Sequence, residues 1–261
     1  MKNNAEQLRG AGEDHQECFS FSRLGSFEKC PKAYEYRYIL EAEPDFETTI
    51  EAYMGTCVHE VLERAYRQPG ATWRQFSAWY EQAWAAGGPE KARIVRRGTQ
   101  ADEYRRTGSD CLKAYHRTFY GQDDGETLGL EQEFFITLSN GERYRGFIDR
   151  IARMPNGVVR LIDYKSGKRV PNPATDMQLR SYALFALREH RQDAVEICYY
   201  DLRAARAKLA TVHADDLPEI EAITVGNINR VKDATRFPAK PSILCGWCGY
   251  NQQCDDSYWE A

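Results

Sequence analysis

The sequence predicts an α/β fold in which a mixed sheet of order αβββαβ is flanked by helices. Three observations predict it. Apolar residues recur at helical spacing from about residue 20 to 120, the period then falls to two until about residue 165, and a helical stretch followed by another strand comes next. Residues 1–17 are polar and are expected to form a loose tail. Residues 18–261 are expected to be a single domain, with a helical elaboration over about 67–125 and a cysteine-bearing C-terminal segment over about 236–261.

Composition narrows the class of protein. Hydrophobic residues at 42% and aromatics at 12% suffice for a sizeable core and exclude a disordered chain. No run approaches the ~18 apolar residues of a membrane span, and MKNNAEQLRGAGEDHQE lacks the apolar centre of a signal peptide. A cytoplasmic protein with no membrane partner is expected. In a reducing compartment the eight cysteines favour metal ligation over disulfides wherever they cluster. A net charge of −4 gives no general attraction to nucleic acid, so such a surface has to be local. KARIVRRG (91–98) and LRAARAK (202–208) could each supply one, although a lone charge run is usually a solvated face.

The elements follow in order. Ser22 suits the N-cap of a first helix, a break falls at Cys30, and Pro31 suits the first turn of a second helix carrying Tyr34 and Tyr38. EAYMGTCVHEVLERAYR (51–67) has Met54, Val58, Val61, Leu62 and Ala65 at helical spacing. Helices over 72–86 and 100–120 carry aromatic stripes, which are core rather than ligand sites. LGLEQEFFITL, RYRGFIDRIAR and VVRLIDYK read as strands separated by Ser-Asn-Gly and Pro-Asn-Gly turns. A helix over 175–190, a strand over 195–202, a partner strand through Val212 and a helix over about 216–231 complete the pattern.

The second hairpin is where spacing becomes chemistry. A three-residue Pro-Asn-Gly connection closed by Met154 and Val158 sets Asp149 opposite Asp163, with Lys165 two residues further on the same face. Facing carboxylates repel, and a divalent cation with oxygen ligands would neutralise them. The plainer alternative pairs Asp149 with a surface arginine and lets Asp163 end a strand. A two-residue turn would slip the register and separate the pair. A lysine beside two acids suits phosphodiester hydrolysis, where it steadies water or a phosphate oxygen.

GFIDRI followed by LIDYKSGK resembles the active-site core of the PD-(D/E)XK nuclease superfamily, in particular its RecB-like branch. Three more segments match that branch in order: FSFSRLGSFEKCPKAYEYRY, GTCVHEVLE and QLRSY. The resemblance implies a restriction-endonuclease-like core. It further implies His59, Asp149, Asp163 and the Tyr164 carbonyl as ligands of Mg²⁺ or Mn²⁺, and Lys165 as catalytic lysine. Gln178 and Tyr182, one turn apart, would orient the lysine or the nucleic-acid strand. Gly55, one turn before His59, leaves room for the sheet or a metal to approach the imidazole. Glu133, one strand earlier, is a candidate outer acid.

Cys245, Cys248 and Cys254 supply three thiolates where a tetrahedral site wants four. Cys18, Cys57, Cys111 and Cys198 have apolar settings and read as small hydrophobes. Cys30 stands at a helix break. The RecB-like branch includes proteins with one N-terminal and three C-terminal cysteines on a [4Fe–4S] cluster, which implies that set here. Spacing alone leaves zinc open.

The expected function is a metal-dependent DNA nuclease, an exonuclease acting on ends or single strands, in repair, recombination or CRISPR adaptation. A catalytically silent nucleic-acid-binding subunit of such a complex is the alternative. No phosphate-loop motif is present, so a motor would have to be a helicase or adaptation-complex partner.

Overall fold

The computed structural model describes residues 18–122 and 125–258. The expected tail over 1–17 lies outside them. The chain opens with a two-residue strand, β1 (Phe19–Ser20), which the sequence does not signal. It passes directly into α1 (Phe21–Lys29), whose cap is therefore Ser20, two residues before the expected Ser22; its hydroxyl accepts the Arg23 N–H at 3.2 Å. Cys30, in extended conformation, ends α1 and begins α2 (Pro31–Tyr38), with proline in the first turn.

Three longer helices follow. Thr49 caps α3 (Ile50–Arg67), a Thr72/Gln75 capping box opens α4 (Trp73–Ala86), and α5 spans Ala101–Thr118. Their apolar stripes bury Ile50, Met54, Val58, Phe76, Tyr80, Leu112 and Tyr115 in one core on one face of the sheet. The strands are β2 (Glu126–Thr137), β3 (Arg143–Arg153), β4 (Val159–Lys165), β5 (Ala194–Asp201) and β6 (Arg206–His213). Helix α6 (Met177–His190) lies between β4 and β5, and α7 (Leu217–Lys232) follows β6. A second core on the opposite face joins α6 and α7 to Leu161, Val195, Ile197 and Tyr199. The expected mixed sheet with helices on both faces is present.

The hairpin takes the three-residue turn. The Met154 N–H donates to the Val158 carbonyl at 2.9 Å, and Gly157 supplies the left-handed residue at φ 86. Arg153 pairs with Val159 and Arg150 with Ile162, the register the turn predicts. Beyond β4 the sheet continues through parallel β5 and antiparallel β6.

One detail of topology positions everything that follows. Strand β2 occupies one edge of β3 along Arg143 to Arg153. On the other edge β4 pairs only with Arg150 to Arg153, and β1 only with Tyr144 and Arg145. Residues 146–149 of β3 are left between two neighbours, and a sheet that opens there exposes its backbone and side chains to a cleft. No described helix is long and apolar enough to cross a membrane.

Candidate active site

A cleft of about 490 Å³ occupies that gap, lined by His59, Asp149, Asp163, Lys165, Gln178 and Tyr182 among others. Four elements supply these side chains: α3, β3, β4 and α6. The residues that the sequence groups together are therefore brought together in space.

His59 joins the helical layer to the sheet. Its Nε2 lies 2.8 Å from the Tyr164 carbonyl oxygen and its Nδ1 3.3 Å from Asp149 Oδ2. The same Asp149 oxygen accepts the Tyr164 N–H at 2.8 Å, so the carboxylate replaces a ladder partner where β3 and β4 part. Of the two approaches expected at Gly55, the structure shows the sheet's: a Cβ there would sit 3.5 Å from Oγ of Ser166, the residue that follows β4.

Asp163 alternates with Leu161 toward α6. The Lys165 ammonium lies 2.8 Å from its Oδ1 and 3.0 Å from its Oδ2. Gln178 closes a ring around this ion pair: Oε1 accepts from Lys165 at 3.0 Å, and Nε2 donates to Asp163 Oδ2 at 3.0 Å and to the Tyr182 hydroxyl at 3.4 Å. An amide that accepts from the cation and donates to the anion fixes both side chains. Asp163 Oδ1 is buried and is held by the Lys165 ammonium as an ion pair rather than by a well-aligned hydrogen bond.

Sequence reasoning missed Glu131. It lies in β2 between Leu130, paired with Arg150, and Gln132, paired with Ile148, and so stands beside Asp149. Its φ is 45, which an L-residue in a strand rarely adopts. The alternation of β3 also breaks here. Ile148 and Ile151 both pack under α6, whereas Arg150 and Ala152 turn toward α3. The distortion carries Glu131 Oε1 to 3.9 Å from His59 Nδ1. Among the described residues, His59, Glu131 and Asp149 form the one acidic or imidazole group whose ligand atoms lie within 4.8 Å of one another. Glu133 instead faces Arg145 at 3.7 Å.

Three neighbouring acids, Glu131, Asp149 and Asp163, disturb each other. Burial, then the Asp149 charge, pushes Asp163 up to about 7, and the same two causes in the same order push Glu131 up to about 7. Burial disfavours the His59 imidazolium, but Asp149, Asp163 and Glu131 together outweigh it and raise the group to about 9. A hard cation suits this surplus of negative charge, and the donors available are oxygens and one imidazole.

Gly146 sets the position of Tyr182. A Cβ at Gly146 would lie 2.6 Å from both the Phe134 and Tyr182 rings, which are themselves in edge-to-face contact. Gly146→Ala is expected to lower stability by about 2 kcal/mol and to pull Tyr182 from Gln178. Denaturant unfolding checks the first effect, and an unchanged midpoint would refute it.

The two basic segments reach the rim of the cleft. Arg96 lies 3.7 Å from Glu51 of the cleft wall, and Arg203 donates to the Ser166 carbonyl at 2.7 Å.

Cys30, Cys245, Cys248 and Cys254 gather away from this cleft, and all are half-buried. Burial raises Cys248 and Cys254, and the other thiols of the set add to it. The Lys240 N–H approaches Cys30 Sγ at 3.4 Å and the Ser242 N–H approaches Cys245 Sγ at 3.4 Å. No three of these sulfurs lie within 4.8 Å of one another. Cys18, Cys57, Cys111 and Cys198 are buried, as their apolar settings imply. Hydrogen bonds also tie the two ends of the chain: Tyr36 to the Gln253 carbonyl at 2.9 Å, Lys240 to the Glu28 carbonyl at 2.9 Å, and the Gln252 N–H to Asp45 at 2.7 Å.

A mixed sheet opened at one strand, with acids on neighbouring strands, a lysine two residues beyond and a histidine from a covering helix, offers oxygen and imidazole donors suited to a divalent cation. The chain belongs to the PD-(D/E)XK nuclease superfamily, whose family model matches residues 18–255. A solved structure described as "Crystal structure of SSO0001" is 15% identical over 98% of this chain and 93% of that one, with a TM-score of 0.42. No curated protein matches.

Proposed function

We propose that this nuclease is of the RecB-like kind and hydrolyses DNA phosphodiesters, as an exonuclease at ends or on single strands, with Mg²⁺ or Mn²⁺ held by His59, Glu131, Asp149, Asp163 and the Tyr164 carbonyl. The observation that carries the reading is that Asp149 and Asp163 line one cleft from neighbouring strands, with His59 and Glu131 grouped around Asp149. A bound divalent ion polarises the phosphodiester and lowers the pKa of its water. Lys165, held by Asp163 and Gln178, presents a positive charge to the cleft that would meet a phosphate oxygen or attacking water. Gln178 and Tyr182 position that lysine. Arg96 and Arg203 offer phosphate contacts at the rim. DNA repair, recombination or CRISPR adaptation, with a motor or adaptation protein as partner, are the settings such chemistry serves.

End-labelled single- and double-stranded DNA, linear and circular, incubated with Mg²⁺ or Mn²⁺ tests the reading. Laddered or mononucleotide products from linear substrates and intact circles are expected. Uncut DNA of every form would overturn it.

A [4Fe–4S] cluster on Cys30, Cys245, Cys248 and Cys254 belongs to the same reading. Its support is the mutual approach of the four thiols from both chain ends and the N–H groups aimed at two of the sulfurs. The cluster would close a loop of about 215 residues and so restrict the unfolded chain. Cys248→Ser is expected to remove the brown colour and labile sulfide of anaerobically purified protein and to lower Tm by roughly 5–10 °C. One zinc per colourless chain would overturn the assignment.

A further inference from the structure

Phe147 has no place in the chemistry above, yet it lines the cleft. It is 44% exposed and lines the cavity with Asp149, Asp163 and Lys165. A single exposed apolar side chain is ordinary on a protein surface. This one is not on an open surface but in a cleft that also holds His59, Asp149, Asp163, Lys165 and Gln178, where a phenyl ring forgoes part of its burial energy.

The local structure holds the ring there. Gly146 and Ile148 face α6, so alternation sends Phe147 to the wet face of β3. The backbone on which it stands is clamped, because Phe134 and Tyr182 pack directly over Gly146. Its cross-strand partner, Glu133, turns to Arg145 and is no apolar cover. Phe21, the first residue of α1, lines the same side of the cleft and is half-buried. Two residues of strand separate Phe147 from Asp149, about 7 Å, which is one backbone step of an extended nucleotide strand.

We propose that Phe147 is a stacking platform for the base next to the scissile phosphate, and that the site therefore takes a single strand or a frayed end rather than paired duplex. A base paired and stacked in a duplex has both faces covered. An unpaired base has a free face, and aromatic stacking on it is tolerant of sequence. The inference rests on the nuclease reading and names its substrate class.

The test measures binding separately from cleavage. Wild-type protein, Phe147→Ala and Phe147→Trp are titrated by fluorescence anisotropy, in EDTA, against a labelled single-stranded oligonucleotide, the matching blunt duplex, and single strands carrying one abasic residue at successive positions. Phe147→Ala is expected to weaken single-strand binding about tenfold and duplex binding not at all, and Phe147→Trp to preserve it. An abasic residue at one position should weaken the wild type by the same factor and Phe147→Ala no further. Equal binding of single strand by wild type and Phe147→Ala, or abasic losses that simply add to the substitution, would overturn the platform. Wild-type protein that binds and stacks single strands but cleaves nothing would defeat the nuclease reading while leaving the platform standing. Wild-type protein that binds neither form would overturn the platform, while the cleavage assay with Mg²⁺ or Mn²⁺ decides the nuclease reading separately.

Discussion

Replacing Asp163 by asparagine is expected to reduce cation-dependent cleavage by roughly 10³-fold or more while leaving the protein folded. Asparagine keeps the shape and one acceptor for Lys165 and Gln178, but it lacks the charge that a divalent ion and the ammonium both use. Stability should not suffer. Asp163 is 4% exposed, and burial and then Asp149 push its carboxyl up to about 7. A raised folded-state pKa means that the ionised form is disfavoured by folding, so the wild type loses stability as pH rises toward and through about 7. In EDTA the Tm difference, variant minus wild type, should therefore become more positive between pH 5 and pH 8. Lys165 reaches solvent once its partner is neutral, which keeps its own penalty small. Retained cleavage, or a Tm advantage that shrinks with pH, would contradict this account of Asp163.

Glu131 separates strain from chemistry. Its left-handed backbone stores about 1 kcal/mol that a side chain without a role would not repay. Glu131→Gln keeps the strain and removes the charge. Glu131→Gly removes both. Each is expected to weaken Mn²⁺ binding about 10- to 100-fold, since each deletes one oxygen anion from the group that includes His59 and Asp149. In thermal unfolding the glycine variant should be the more stable of the two, because glycine adopts φ 45 without penalty. Equal Mn²⁺ affinity in wild type and both variants would remove Glu131 from the site. A glycine variant less stable than the glutamine variant would mean that the backbone there is not strained.

The contrast between Glu131 and Glu133 shows what the sequence makes legible. Strict alternation puts both on one face of β2 and gives no reason to choose between them. The choice is made by a left-handed residue and a break in the alternation of β3, and neither has a sequence signature when the residue concerned is not glycine. The Asp149–Asp163 register was readable because Pro-Asn-Gly admits few geometries, and the turn adopts the one that keeps the two on facing strands. The helices were readable from their apolar stripes and caps, to within a residue or two at the ends. Strand β1 was not, because two residues carry no period, and its presence moves the cap of α1 from Ser22 to Ser20. That small strand matters out of proportion to its length: with β4 it frames the gap in which Phe147 and Asp149 stand. The partners of the aspartates were legible only in part. Lys165 shares their face by spacing, but the ring through Gln178 depends on how α6 docks on the sheet, a tertiary fact.

The central claim is that one divalent cation sits among His59, Glu131, Asp149 and Asp163. Anomalous scattering from a crystal soaked in Mn²⁺ tests it most directly. A single strong peak within coordination distance of the Asp149 and Asp163 carboxylates and the His59 ring is the predicted result. A cleft without a peak, or manganese bound only elsewhere on the protein, would contradict it.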